Sequence, residues 1–96
     1  MKTKLAFARA LREIRKARRL SQEDFSVQSS RVYVSILERG LKSPTLEKIE
    51  ALSETMRVHP MTLLTSAYLK TGKFKDLDDL FRMIRHEIEE VTVPKP

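Results

Sequence analysis

Residues 20–40 read Leu-Ser-Gln-Glu-Asp-Phe-Ser-Val-Gln-Ser-Ser-Arg-Val-Tyr-Val-Ser-Ile-Leu-Glu-Arg-Gly. Two helix starts and one helix stop lie in this stretch. Ser21 reads as an N-cap, and Asp24, three residues on, makes Ser21-Gln22-Glu23-Asp24 resemble a capping box. Glu23 and Asp24 also face the positive end of the helix dipole. The pattern predicts a short helix from Ser21 to about Val27. Gln28-Ser29-Ser30 is polar and reads as a tight turn, with Ser30 as the cap of a helix running Arg31 to Arg39. Gly40 stops that helix, because glycine readily takes the left-handed conformation that ends helices.

Outward from this pair the chain continues in helices. Residues 5–18 place Leu11, Ile14 and either Phe7 or Ala8 at three- and four-residue spacing, an amphipathic first helix. Beyond the Leu41-Lys42-Ser43-Pro44 loop, Thr45 caps a fourth helix with Leu46, Ile49, Leu52 and Met56 on its apolar face. Pro60 suits the first turn of a fifth, which carries Leu63, Leu64, Ala67 and Tyr68. Thr71-Gly72 breaks it, and a sixth helix is expected from near Phe74 to about Val91. The scarcity of glycine (2 residues) and of aromatic residues (6%) also favours an all-α fold over a β-sandwich.

Composition narrows the function. With 96 residues, 41% hydrophobic and 33% charged, the chain suits one small folded domain. The absence of cysteine excludes a disulfide framework, a thiolate nucleophile and a cysteine zinc site, and fits a reducing cytoplasm. Two histidines, His59 and His86, are too few and too far apart for a metal site. No catalytic Ser/His/Asp arrangement, glycine-rich phosphate loop or paired-carboxylate motif is readable, so neither an enzyme nor a cofactor is expected. The acidic cluster Asp76, Asp78 and Asp79, with Lys73, Lys75, Arg82 and Arg85 around it, reads as a solvated helix face. No apolar run approaches the ~20 residues of a membrane span. The net charge of +6 is uneven: residues 1–20 hold eight basic residues against one acidic, residues 21–69 five against six, and residues 70–96 six against six. The entire excess sits in the first arm, which points to a polyanionic partner.

Four elements in order narrow it further: Leu11-Arg12-Glu13-Ile14-Arg15, Leu20-Ser21-Gln22-Glu23, Tyr33-Val34-Ser35-Ile36-Leu37-Glu38-Arg39-Gly40 and Lys42-Ser43-Pro44-Thr45-Leu46. They resemble the Cro/CI-like (XRE-type) helix-turn-helix family of bacterial and phage transcription regulators, over about residues 5–69. The resemblance implies a five-helix, lambda-repressor-like DNA-binding domain over residues 1–69, with residues 70–96 as an added C-terminal helix. It also implies binding to double-stranded DNA on the bacterial nucleoid. One departure stands out: Phe25 and Glu38 are 13 positions apart, about two fewer than the family pattern, and the turn between them has no glycine. The second helix or the turn must be shortened.

In such a motif the third helix lies in the major groove. The resemblance turns Val34 and Leu37 inward, leaving Arg31, Val32, Ser35 and Ile36 facing out. Arg31 can donate two hydrogen bonds to guanine O6 and N7, and Val32 and Ile36, four apart, can meet thymine methyl groups. Ile36 packing on a neighbouring helix is the competing role. Tyr33 joins the base-facing set, although it could equally close the turn as a surface aromatic. By resemblance Gln22 donates to a phosphate, and Lys42 and Ser43 form the matching clamp after the third helix, with Arg39 beside them. For Arg9, Arg12, Lys16, Arg18 and Arg19, plain solvation is expected of each. The family also pairs an arginine of helix one with the glutamate ending helix three, here Arg15 and Glu38, as a structural brace.

The sixth helix spaces Phe74, Leu77, Phe81, Ile84, Ile88 and Val91 by 3, 4, 3, 4 and 3, an a/d pattern, and Leu80 and Met83 widen the stripe. The opposite face is charged. A stripe of this size needs a cover, and the expectation is a homodimer through Phe74, Leu77, Leu80, Phe81, Ile84, Ile88 and Val91. The competing cover is the chain's own helices one and five. A different reading makes the protein antitoxin-like, with its last helix gripping a partner protein.

Overall fold

The computed structural model describes residues 1–25 and 30–92. Its elements are α1 (Thr3–Ala17), a 3-10 helix (Gln22–Phe25), α2 (Arg31–Glu38), α3 (Leu46–Met56), α4 (Pro60–Leu69) and α5 (Leu77–Thr92). Among the described residues the fold is all-helical, a body of α1 to α4 with the 3-10 helix, followed by the C-terminal helix α5.

Short polar signals set most of the helix ends. The Ser30 hydroxyl accepts the Tyr33 amide at 3.0 Å, and the Thr45 hydroxyl accepts the Lys48 amide at 3.1 Å. Pro60 occupies the first turn of α4, where its missing N–H costs nothing, and the His59 ring Nδ1 accepts the Met61 amide at 3.0 Å. Gly40 ends α2 with φ +72°. A Cβ there would meet Leu5 and Ala8 at 3.6 Å and 3.9 Å, ordinary contact distances, so its backbone angle is what favours glycine, not crowding.

The second helix departs from expectation in kind. Its described part is a 3-10 turn, Gln22–Phe25, and the predicted extension to Val27 and the turn at Gln28 and Ser29 fall outside the described residues. The Asp24 carboxylate accepts from the Ser21 amide at 2.6 Å and from the Ser21 hydroxyl at 3.1 Å. Phe25 itself is fully buried.

The core gathers Phe7, Ala10 and Leu11 of α1, Phe25 of the 3-10 helix, Val34 and Leu37 of α2, Ile49, Leu52 and Met56 of α3, and Leu63 and Ala67 of α4. α1 packs on α4 and on α2, and α3 packs on α4. Three expectations need correction. Leu46, placed on the apolar face of the fourth helix, is 70% exposed. It is the first residue of α3, beyond the reach of the core that Ile49, Leu52 and Met56 fill. Tyr68, placed on the apolar face of the fifth helix, is likewise exposed, while Leu63 and Ala67 carry the burial. Phe74 precedes the last helix, which starts at Leu77. Asp76 sets that start: its Oδ1 accepts the Asp79 amide at 2.9 Å, and its carbonyl accepts the Leu80 amide at 3.2 Å.

The molecule measures 51 × 25 × 22 Å. A 16-residue helix is about 24 Å long. α5 meets the body near its start, where Leu80 is buried and Met83 and Ile84 border an apolar groove with Met61, Leu64 and Tyr68 of α4. Leu77, Phe81, Ile88 and Val91 are exposed. Leu80, expected at a dimer interface, therefore packs on its own chain, Phe74 and Ile84 are half-buried beside it, and Leu77, Phe81, Ile88 and Val91 are open. Among the described residues no helix is long and apolar enough to cross a membrane.

Candidate nucleic-acid interface

α2 is eight residues long and sorts its side chains sharply. Val34 and Leu37 are fully buried, which fixes the helix roll against α1 and the 3-10 helix. Arg31 and Val32 are exposed, and Ser35 and Ile36 are half-buried. Val32 is 67% exposed, a β-branched apolar residue presented to solvent near the start of a short helix.

Tyr33 sits differently. It is half-buried against the core, and the Lys48 ammonium lies 5.2 Å from its ring centre. A cation at that range is attracted by the ring quadrupole. The ring therefore helps join α2 to α3.

The last turn of α2 is braced from α1. Arg15 Nε donates to Glu38 Oε2 at 2.6 Å and Nη2 donates to Oε1 at 2.9 Å, a two-point fork. The third donor, Nη1, reaches the Leu20 carbonyl at 2.8 Å. The two side chains are 11% and 5% exposed. The hydrogen bonds to Glu38 hold the Arg15 guanidinium above its ordinary pKa; burial opposes this and the carboxylate charge adds to it. Gln22 completes the cluster, its Nε2 donating to Glu38 Oε1 at 3.2 Å. Gln22, given a phosphate role by resemblance, thus has one of its two side-chain N–H groups engaged inside the protein.

The remaining cations divide. Lys42 and Ser43 are exposed in the loop after α2. Arg39 is exposed too, its Nε only weakly placed on the Ser35 carbonyl at 3.4 Å. Arg18 is a structural group: its Nε donates to the Met56 carbonyl at 3.0 Å and its Nη2 to the Arg57 carbonyl at 3.2 Å. These carbonyls close α3, whose end carries left-handed Arg57 and a Val58 amide bond to Ser53, so the cation also meets the negative end of the dipole. Arg9, Arg12, Lys16 and Arg19 are exposed. Sequence reasoning missed the Arg18 cap and the Lys48–Tyr33 contact, since each joins residues far apart in the chain. It also missed an ion pair between Arg31 Nη1 and Glu23 Oε1 at 3.3 Å, for which the acidic first turn was the available signal.

A helix-turn-helix family model matches residues 11–63, from within α1 to within α4. The control protein C.BamHI of Bacillus amyloliquefaciens is 36% identical to this chain over 64 residues, which cover 64% of the chain and 79% of that protein. No solved structure matches the chain.

Proposed function

The chain belongs to the XRE-type helix-turn-helix family and is a DNA-binding transcriptional regulator; we propose that it reads one operator sequence in duplex DNA and does so as a homodimer. The observation that carries this reading is the outward row Arg31, Val32, Ser35 and Ile36 on a helix whose inner side is sealed by Val34 and Leu37 and whose last turn is held by Arg15. The major groove, ~12 Å wide, admits one such helix. Arg31 offers paired donors to guanine, and Val32 with Ile36 offers an apolar surface to thymine methyls. Lys42 and Arg39 neutralise phosphates beside it, and Ser43 donates a hydrogen bond to one. The stripe of exposed Leu77, Phe81, Ile88 and Val91 with half-buried Ile84 on α5 supports pairing with a second copy, and a twofold axis places two reading heads on half-sites ~34 Å apart. Joining two heads raises affinity through effective concentration without a new base contact.

A mobility-shift titration with selected and random duplexes tests this. Affinity is expected to fall with salt at a log–log slope of about −0.9 per phosphate neutralised. Arg31→Ala is expected to weaken the selected site by ~1–3 kcal/mol and relax choice at one base pair, whereas Lys42→Ala weakens all duplexes about equally. Absence of preference between selected and random DNA ends the operator reading. Identical behaviour of the two variants on both duplexes ends the division into base-reading and phosphate-holding residues.

A further inference from the structure

The three polar residues of the 3-10 helix use their side chains in three ways. Gln22 turns inward to Glu38, and Asp24 turns back to Ser21. Glu23 reaches the opposite end of α2 from Gln22, where its carboxylate meets Arg31, the first residue of that helix, at 3.3 Å. Both side chains are mostly exposed, at 66% for Arg31 and 70% for Glu23. An ion pair this exposed adds little to stability. Its placement needs another account, because it sets a negative charge on the face that the proposed function turns toward a polyanion.

Resting on that reading, we propose that Glu23 is a positioning residue that sets DNA specificity by tethering Arg31 and penalising sequence-blind contact with phosphates. The guanidinium is planar, with its donors in a fixed fork. Glu23 occupies Nη1, which leaves Nε and Nη2 as an edge for guanine O6 and N7. At a matching base pair Arg31 serves Glu23 and the base together, and the carboxylate stays neutralised. On random DNA the competing partner of Arg31 is a phosphate. Reaching it means leaving Glu23, which then faces the phosphates as an uncompensated like charge. The same carboxylate thus costs sequence-blind binding more than base readout, so it acts on the ratio of the two.

The test uses the full chain, a selected duplex and a random duplex of equal length, titrated across a salt series. Glu23→Gln keeps size and polarity and removes the charge. It is expected to raise affinity for the random duplex about three- to tenfold more than for the selected one. The salt slope on random DNA is expected to steepen by about 0.9, as the freed arginine takes a phosphate. In an Arg31→Ala background the same substitution should shift both duplexes by one common factor. Equal shifts on both duplexes with Arg31 present, or a loss of affinity on both, overturn the assignment to Glu23 while leaving operator binding intact. An unmodified protein that does not distinguish the duplexes overturns both, since no specificity then exists for Glu23 to set.

Discussion

α1 and α5 are nearly equal in length, 15 and 16 residues, and both carry an apolar stripe opposite a charged face. Their fates differ. α1 buries Ala6, Phe7, Ala8, Ala10 and Leu11, whereas the buried residue of α5 is Leu80. The stripe of α1 is rich in alanine, so neighbouring helices approach its backbone closely while Phe7 and Leu11 reach the shared core. The stripe of α5 is Leu, Phe, Met and Ile, bulkier and with far less covering it. Isolated helices of this length are marginal in water, so α1 draws its stability from the body, and α5 needs a further surface. An apolar stripe therefore states that a face requires cover and not which surface supplies it.

Three variants probe that contrast. The largest effect is expected at the sealed core: Phe25→Ala empties a fully buried site where the 3-10 helix meets α2 and is expected to cost about 3–5 kcal/mol in chemical denaturation. A loss below about 1 kcal/mol would show that the body is as loosely packed as α5. Next is the brace. Arg15→Ala strands the Glu38 carboxylate, 5% exposed, and is expected to cost about 3 kcal/mol and to weaken DNA binding with it. The hydrogen bond from Gln22 keeps this loss toward the lower end of the range for buried pairs. Thermal stability and DNA affinity unchanged from the parent would remove Arg15 from the argument. The smallest effect on the fold of the body is expected from Phe81→Glu with Ile84→Glu, under about 1 kcal/mol by denaturation, because these side chains lie largely outside the core. The same variant is expected to sediment as a monomer where the parent is a dimer, and to bind a selected duplex far more weakly. If it instead unfolds the body, α5 is covered by its own chain and the contrast with α1 fails.

Much of the body was legible before any coordinates. Ser30, Thr45, Pro60 and Gly40 act within one helical turn of themselves, so their meaning survives in the linear chain. The Arg15–Glu38 brace followed from family resemblance and is formed with fork geometry. Less was legible at the DNA-facing side. The resemblance gives Gln22 a phosphate without showing that its side chain also bonds Glu38, and Tyr33 reads as base-facing or as a surface aromatic without showing its contacts with the core and Lys48. Both residues are amphipathic or polar enough to serve either role, and only the local crowding decides between them. Phe74 was counted into the last helix because its spacing fits, but the Asp76 cap starts that helix three residues later.

By itself the sequence determined the helical periodicity, most of the helix ends, the basic first arm and the presence of an apolar stripe over residues 74–91 that needs a cover. These depend on interactions spanning one to four residues, and such interactions are encoded by neighbours. Only the tertiary structure decided which partners the long polar side chains take. Arg18 closes the end of α3 from 38 and 39 residues away, Gln22 reaches Glu38 across 16, and Lys70 meets Glu13 across 57. Each of these cations and amides has several partners compatible with its chemistry. Hydrogen bonds and ion pairs are short-ranged and directional, so the choice is made by which backbone or carboxylate oxygen the packed core brings within about 3 Å.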